Sequence, residues 1–128
     1  AWADDPRADP EHRTAAAIPP AVHRASLLDP VTHALLGAAS WHAVEHGGCA
    51  AWKIRITPYS SGDTTAAYRL LTDHLFATTP IDRIEATASA DDSRTRQALE
   101  GASFRFEGVL RSGAATDLVL YGLLRADR

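Results

Sequence analysis

The stretch from Cys49 to Ala88 constrains the fold of this chain most. Cys49–Thr57 alternates with a period of two, which is typical of a strand with one buried face. A small polar loop follows at Tyr59–Thr64, and apolar residues then recur at helical spacing over Ala67–Phe76. Ile81–Ala88 is a further strand. This order requires a crossover connection, so we expect the two strands to lie parallel and to diverge at the ends that face the loop.

Strand patterns also precede this unit. Ala21–Leu28 and Thr32–Val44 suit strands separated by the Asp29-Pro30 turn, and Gly47-Gly48 predicts a tight reversal. Nearer the start, a short helix is expected from Asp9 to Ile18, because Asp is a good N-cap and Pro10 fits the first helical position.

A second helix and a hairpin follow. Ala90–Ser93 predicts a helix cap, and Gly101 ends that helix. Phe104 to Leu110 alternates, with Phe104, Phe106, Gly108 and Leu110 expected on one side. Leu118–Leu124 is an apolar strand, so these last two strands are expected to form an antiparallel hairpin.

Size and composition limit the class of protein. With 128 residues, 45% of them hydrophobic, the chain is long enough for one packed core, so we expect a single domain over residues 1–128. The net charge of −3 gives no general attraction to nucleic acid or to an anionic membrane. The lone Cys49 excludes an intramolecular disulfide and a multi-cysteine zinc site, and no apolar run approaches the roughly 20 residues of a membrane span. We therefore expect a cytoplasmic protein.

The six histidines do not predict a metal site. His42 and His46 have a four-residue spacing that would suit zinc on a helix. In a strand and turn they would not converge with a third ligand, so no metal is expected.

The second half of the chain resembles the Gcn5-related N-acetyltransferases. Within them it is similar to the branch that acetylates the amino termini of ribosomal proteins and related small amines, the RimJ and RimL type. The matching motifs lie in order along the chain at Arg83–Ala86, Asp92–Thr95, Ser103-Phe104, Glu107–Arg111, Asp117 and Leu120–Arg125. A weaker match reaches back through Leu36–Ala38 and Ser40–His42 to Asp9–His12. The resemblance covers roughly the last 100 residues and lacks the family's opening strand and helices.

The resemblance implies an α/β fold, in the α+β sense: a mixed, mostly antiparallel sheet with a central parallel pair and flanking helices, abbreviated at the amino terminus. It implies acetyl-coenzyme A as co-substrate, held in the splay of the parallel pair. A loop of small residues at a helix N-terminus can bind the pyrophosphate, and the loop in that place is Ser60, Ser61, Gly62, Asp63, Thr64 and Thr65. Of the family's pattern there only the central glycine is kept. An ordinary capped helix is the alternative interpretation.

The resemblance places the usual catalytic glutamate at Ala51, which cannot titrate. The titratable residues within reach are His42, Glu45 and His46 near the same strand turn and Glu85 on the adjoining strand. We take His42 and Glu85 as the candidate replacements, with solvated or hydrogen-bonded surface groups as the alternative for each. At the second helix start, Asp92 and Thr95 are expected to contact the cofactor, and the Thr95 hydroxyl to protonate the leaving thiolate. Both residues are also ordinary caps.

Three functions follow. The first is acetyl transfer from acetyl-coenzyme A to a primary amine, either a protein amino terminus or a small molecule. The second is a degenerate relative that binds a ligand or partner without acetyl transfer, and the third is a different reaction on the same scaffold. The abbreviated opening also predicts a homo-oligomer, because uncovered edges favour association.

Overall fold

The computed structural model describes residues 21–59, 63–111, 113 and 116–128 of the chain. The predicted helix from Asp9 to Ile18 lies outside these residues. The strands are β1 (His23–Leu28), β2 (Leu35–His46), β3 (Cys49–Pro58), β4 (Arg83–Ser89), β5 (Arg105–Leu110) and β6 (Leu118–Leu124). The helices are α1 (Thr64–Thr78) and α2 (Ser93–Gly101), and a 3-10 turn closes the chain at Arg125–Asp127.

Within the described residues these strands form one mixed sheet in the order β1-β2-β3-β4-β6-β5. β3 and β4 are parallel, and the other neighbouring pairs are antiparallel. The predicted mixed sheet with a central parallel pair is confirmed, and so is the β5–β6 hairpin.

The turn between β1 and β2 is longer than predicted. The Asp29 carboxylate accepts hydrogen bonds from the backbone N–H groups of Val31 and Thr32, at 2.8 and 2.9 Å. His33 then adopts a φ of 61°, and its N–H donates to the Asp29 carbonyl. Because these bonds hold the backbone in a turn, β2 begins at Leu35 rather than at Thr32.

The predicted uninterrupted alternation from Phe104 to Leu110 is wrong. Phe104 precedes the strand and is buried, whereas Phe106 is 52% exposed. Phe106 pairs with Tyr121 and Gly108 with Leu120, so Glu107 is an extra residue that forms a bulge. The bulge changes which side chains face the core, and it directs Glu107 toward Arg83.

Both helices pack on the same face of the sheet. The indole N–H of Trp52 donates to Thr79 at the end of α1 over 3.0 Å, and the Tyr121 hydroxyl donates to Glu100 of α2 over 2.7 Å. Trp52 and Tyr121 project from one face, because their partners in β4 are two residues apart. No helix among the described residues covers the opposite face, which carries Ser40, His42, Lys53, Arg55 and Glu85. We call it the polar face.

The core lies between the helices and the sheet. Its largest fully buried side chains are Leu71, Leu75, Ile84, Leu99, Tyr121 and Leu123. Each helix in the described ranges is too short or too polar to cross a lipid bilayer.

Candidate functional site

A cleft opens where the two parallel strands separate. β3 and β4 are paired at Trp52 with Ile84 and at Lys53 with Glu85, and the register ends there. Beyond that point the strands diverge toward α1, as predicted. The gap is about 710 Å³ in volume, within the range of pockets that bind small molecules.

The walls of the cleft come from both faces of the sheet and from both helices. Side chains of the polar face enter from one side and helix residues from the other. Those with polar groups include His42, Lys53, Arg55, Tyr68, Asp92 and Thr95. The divergence of the strands therefore joins the helix side of the sheet to its polar face.

The N-terminus of α1 carries part of the predicted phosphate loop. Ser60, Ser61 and Gly62 lie outside the described residues. The Asp63 carboxylate caps the helix and accepts from the Ala66 N–H at 3.1 Å. Thr64 is 7% exposed, and its buried hydroxyl has no hydrogen-bond partner within the described part of the chain. Thr65 is half-buried and lies against Gly101 of α2.

The unsatisfied Thr64 hydroxyl is informative. Buried polar groups are normally hydrogen-bonded, and an unpaired hydroxyl costs about 1 to 3 kcal/mol. A ligand at this helix end would satisfy it, and the positive end of the α1 dipole favours an anion there. The Asp63 carboxylate opposes such an anion and already occupies one of the free N–H groups. The loop therefore fits a phosphate in part.

Asp92 and Thr95 form a compact cap at the start of α2. The Asp92 carboxylate accepts from the Thr95 N–H at 3.1 Å and from the Thr95 hydroxyl at 2.7 Å. These hydrogen bonds are those of an ordinary helix N-cap, which was the alternative interpretation of the two residues. Both residues also line the cleft, so they are placed to contact a ligand there.

The two predicted replacements for the catalytic glutamate lie in different surroundings. His42 is half-buried and lines the cleft. Glu85 is 3% exposed and is absent from the lining residues. Its carboxylate is 3.0 Å from His46 Nε2 and 3.2 Å from Arg83 Nη2. Ala51, at the expected glutamate position, is fully buried. Proton transfer in the cleft is therefore open to His42 rather than to Glu85.

Tyr68 is a candidate that the sequence pattern missed, because its helical spacing predicted only a core residue. It is 3% exposed, it lines the cleft, and its hydroxyl forms no hydrogen bond within the described ranges. Burial and the nearby Asp92 carboxylate raise the pKa of Tyr68 to about 12, against a smaller opposing effect of Arg55. The phenol therefore keeps its proton at neutral pH and is a hydrogen-bond donor to the cleft.

Lys53 and Arg55 were also missed, because charged residues alternating with apolar ones indicate the solvent side of a strand. Here that side borders the cleft. His42 lies opposite Lys53 in the β2–β3 register, so these two side chains leave the same face together. Across the described ranges, no three His, Cys, Asp or Glu side chains are grouped in a way that could hold a metal ion.

No protein-family model matches the sequence, and no curated protein matches it. Solved structures do match. The ribosomal-protein-S5-alanine acetyltransferase of Vibrio fischeri superposes with a TM-score of 0.68 at 19% identity, over 83% of this chain and 63% of that one. A GNAT-family acetyltransferase of Bacillus anthracis gives 0.64 at 17% identity, over 79% and 65%. Mycobacterium smegmatis RimJ, solved with CoA-disulfide, gives 0.66 at 26% identity, over 81% and 54%.

The chain therefore has the fold of the Gcn5-related N-acetyltransferases, and its structural neighbours include the ribosomal-protein branch that the sequence resembles. It spans a little under two thirds of the Vibrio and Bacillus proteins. The aminoglycoside acetyltransferase AAC(6')-Ib, solved with coenzyme A and kanamycin, matches with a TM-score of 0.69 at 16% identity, over 83% of this chain and 68% of that one.

Proposed function

We propose that this chain binds acetyl-coenzyme A in the cleft and transfers its acetyl group to a primary amine. The observation that carries the proposal is the divergence of β3 and β4 beyond Lys53 and Glu85, with the N-terminus of α1 at the open end. Neighbours of the same fold were solved with coenzyme A, which supports this choice of ligand.

The residues of the cleft fit the co-substrate in two places. The unsatisfied Thr64 hydroxyl and the α1 dipole favour a phosphate at the helix end. The unpaired edges of β3 and β4 offer backbone groups to an extended amide-containing arm. Asp92 and Thr95 would lie beside that arm. When bound, acetyl-coenzyme A supplies an activated thioester carbonyl.

His42 is the residue that we assign to the acceptor amine. An imidazole nitrogen that carries no hydrogen can accept a proton, so His42 is suited to take the proton that the amine loses as its nitrogen bonds to the acyl carbon. The carbon–sulfur bond breaks in the same exchange, and the Tyr68 phenol is placed in the cleft to donate to the leaving sulfur. Thr95 is the less suitable donor, because its hydroxyl already donates to Asp92.

A second candidate function is binding without acetyl transfer. Ala51 supplies no titratable group where a base is expected, and the Asp63 carboxylate opposes a phosphate. Positioning alone accelerates such reactions strongly, so the missing glutamate does not exclude turnover.

Calorimetric titration with acetyl-coenzyme A, followed by an assay for free thiol, separates the two candidate functions. Acetyl transfer requires saturable binding, followed by release of free thiol when an amine is added. Failure to bind acetyl-coenzyme A would refute the proposed function. If acetyl-coenzyme A binds but no free thiol is released with any amine of a panel, the non-catalytic candidate is favoured.

We also propose that copies of this chain associate. Val31 is 86% exposed, and Leu28 and Leu35 are 48% and 45% exposed around the turn between β1 and β2. Apolar side chains grouped at a surface favour association. Light scattering at micromolar concentration tests this, and a mass of one chain would refute it.

A further inference from the structure

Two arginines flank a serine on the polar face. Arg24 is opposite Ser40 in the β1–β2 register, and Ser40 is opposite Arg55 in the β2–β3 register. Directly opposite residues of antiparallel strands project from the same face, so all three side chains project from the polar face in a row across β1, β2 and β3. Strands are about 4.8 Å apart, which puts the two arginine Cα atoms about 10 Å apart. Two guanidinium groups can close that span above the short serine.

A concave pocket of about 460 Å³ lies at this position. Its floor is made of small side chains, and hydroxyl groups come from Ser26, Ser40 and Thr57. Arg24 and Arg55 are its charged lining residues, and no carboxylate of the described chain lines it. The pocket therefore combines two cations with several neutral hydrogen-bond donors.

Among the described residues, no carboxylate forms an ion pair with either of these arginines. Neither Arg24 nor Arg55 forms an ion pair or side-chain hydrogen bond within the described ranges. By contrast, Arg83 pairs with Glu85 and Glu107, and Arg125 donates to three backbone carbonyls. Guanidinium groups match carboxylates in a planar, two-bond geometry. Two arginines that have no ion-pair partner among the described residues, above a hydroxyl-bearing floor, therefore form a site that a carboxylate fits.

This pocket adjoins the cleft. Ser40, Arg55 and Thr57 line both. The next pair of residues on the same face is His42 and Lys53, about 7 Å along the strands from Ser40 and Arg55. An amine placed at His42 would thus have its neighbouring substituents within reach of Arg24 and Arg55.

We infer that Arg24, Ser40 and Arg55 bind a carboxylate of the acceptor, which makes the substrate a primary amine with a carboxylate a few bonds from its nitrogen. A free amino acid and a peptide that begins with an acidic residue share this chemistry. The inference rests on the proposed function for the identity of the acceptor. The carboxylate site itself does not depend on turnover.

Binding of acetylated products tests the site without requiring catalysis. Acetylglycine and acetylglycinamide differ in an α-carboxylate, and acetyl-aspartyl-dialanine amide and its asparaginyl counterpart differ in a side-chain carboxylate. We expect the protein to bind the acid of at least one pair about tenfold or more tightly than its amide. The pair that shows the preference identifies the source of the amine.

Arg24→Gln and Arg55→Gln should each abolish that preference. Arg24 is not among the residues that line the cleft, so Arg24→Gln should also leave the affinity for acetyl-coenzyme A unchanged. Arg105→Gln is the matched control, because this arginine is 76% exposed and lies at the far edge of the sheet, on β5. Equal binding of acid and amide by the unaltered protein, or a preference that survives both substitutions, would overturn the inference. So would a loss of acetyl-coenzyme A affinity in Arg24→Gln, which would assign that arginine to the cofactor. If acetyl-coenzyme A does not bind while the acid preference persists, the proposed function fails and the carboxylate site stands.

Discussion

His46 Nε2 lies 3.0 Å from Glu85 Oε1, although the histidine side chain is 62% exposed and the glutamate side chain only 4% exposed. The same carboxylate contacts Arg83, which in turn donates to both oxygens of Glu107. Gly122 makes room for this network, since a Cβ there would lie 2.6 Å from the Arg83 guanidinium. The network satisfies a buried carboxylate beneath the polar face.

Removal of Arg83 should destabilise the protein. Arg83→Leu leaves the buried Glu85 carboxylate with His46 alone, and breaking a buried pair costs about 3 kcal/mol. Urea denaturation of the purified variant measures this change in the free energy of unfolding. The double variant R83L/E85L should recover most of the loss, because no buried charge remains without its partner.

Arg105→Leu is the control for this prediction. Arg105 pairs with Asp127 over 3.4 Å at the surface, and exposed pairs contribute at most about 1 kcal/mol. Equal losses for Arg83→Leu and Arg105→Leu would contradict the role given to the Glu85 network.

The raised pKa of Tyr68 predicts that the protein loses stability at alkaline pH. The pKa of Tyr68 is raised from 10 to about 12. Between these values the folded protein keeps a proton that the unfolded chain releases, so the free energy of unfolding falls as pH rises through this window. Between pH 8 and pH 11 the free energy of unfolding should fall by about 1 kcal/mol more in the unaltered protein than in Tyr68→Phe. Tyr59→Phe, at a tyrosine that is 40% exposed, should behave like the unaltered protein.

Thr64→Val separates stability from ligand binding. Valine keeps the branched shape and removes a buried hydroxyl that has no hydrogen-bond partner among the described residues, so the ligand-free protein should gain about 1 kcal/mol of stability. The affinity for acetyl-coenzyme A should fall, because the hydroxyl is then missing from the helix end. Thermal denaturation and calorimetry measure the two effects.

Thr72→Val is the matched control in the same helix. Thr72 is 2% exposed, but its hydroxyl donates to the Arg69 carbonyl over 3.1 Å. This variant should lose stability and keep its affinity for acetyl-coenzyme A. A stabilised Thr64→Val protein with unchanged affinity would remove Thr64 from the phosphate site.

His42→Gln tests the assigned base. Proton transfer by a positioned side chain contributes about 100-fold or more to rate, so kcat should fall by at least that factor while the dissociation constant of acetyl-coenzyme A stays unchanged. His74→Gln, on the exposed side of α1, is the control and should retain full activity. A kcat that is insensitive to His42→Gln would exclude His42 as the base.

Much of the architecture followed from the sequence because local patterns carry it. The period of two in β3, the helical spacing after Ala67 and the Asp92 cap each depend on residues a few positions apart. Together with the requirement for a crossover, they predicted the parallel pair and its divergence.

The candidate site depended on tertiary structure, because its groups meet only through the register of separate strands and the packing of helices. Ser40 lies between Arg24 and Arg55 because β2 pairs with both neighbours, and Tyr68 reaches the cleft because α1 crosses beside the divergence. Arg83 contacts the buried Glu85 carboxylate and is held in place by Glu107. Glu107 lies in a β-bulge, which the alternating pattern of the sequence did not predict. Residues that are distant in the sequence are brought together by hydrogen bonds between strands, and local patterns contain no information about those pairings.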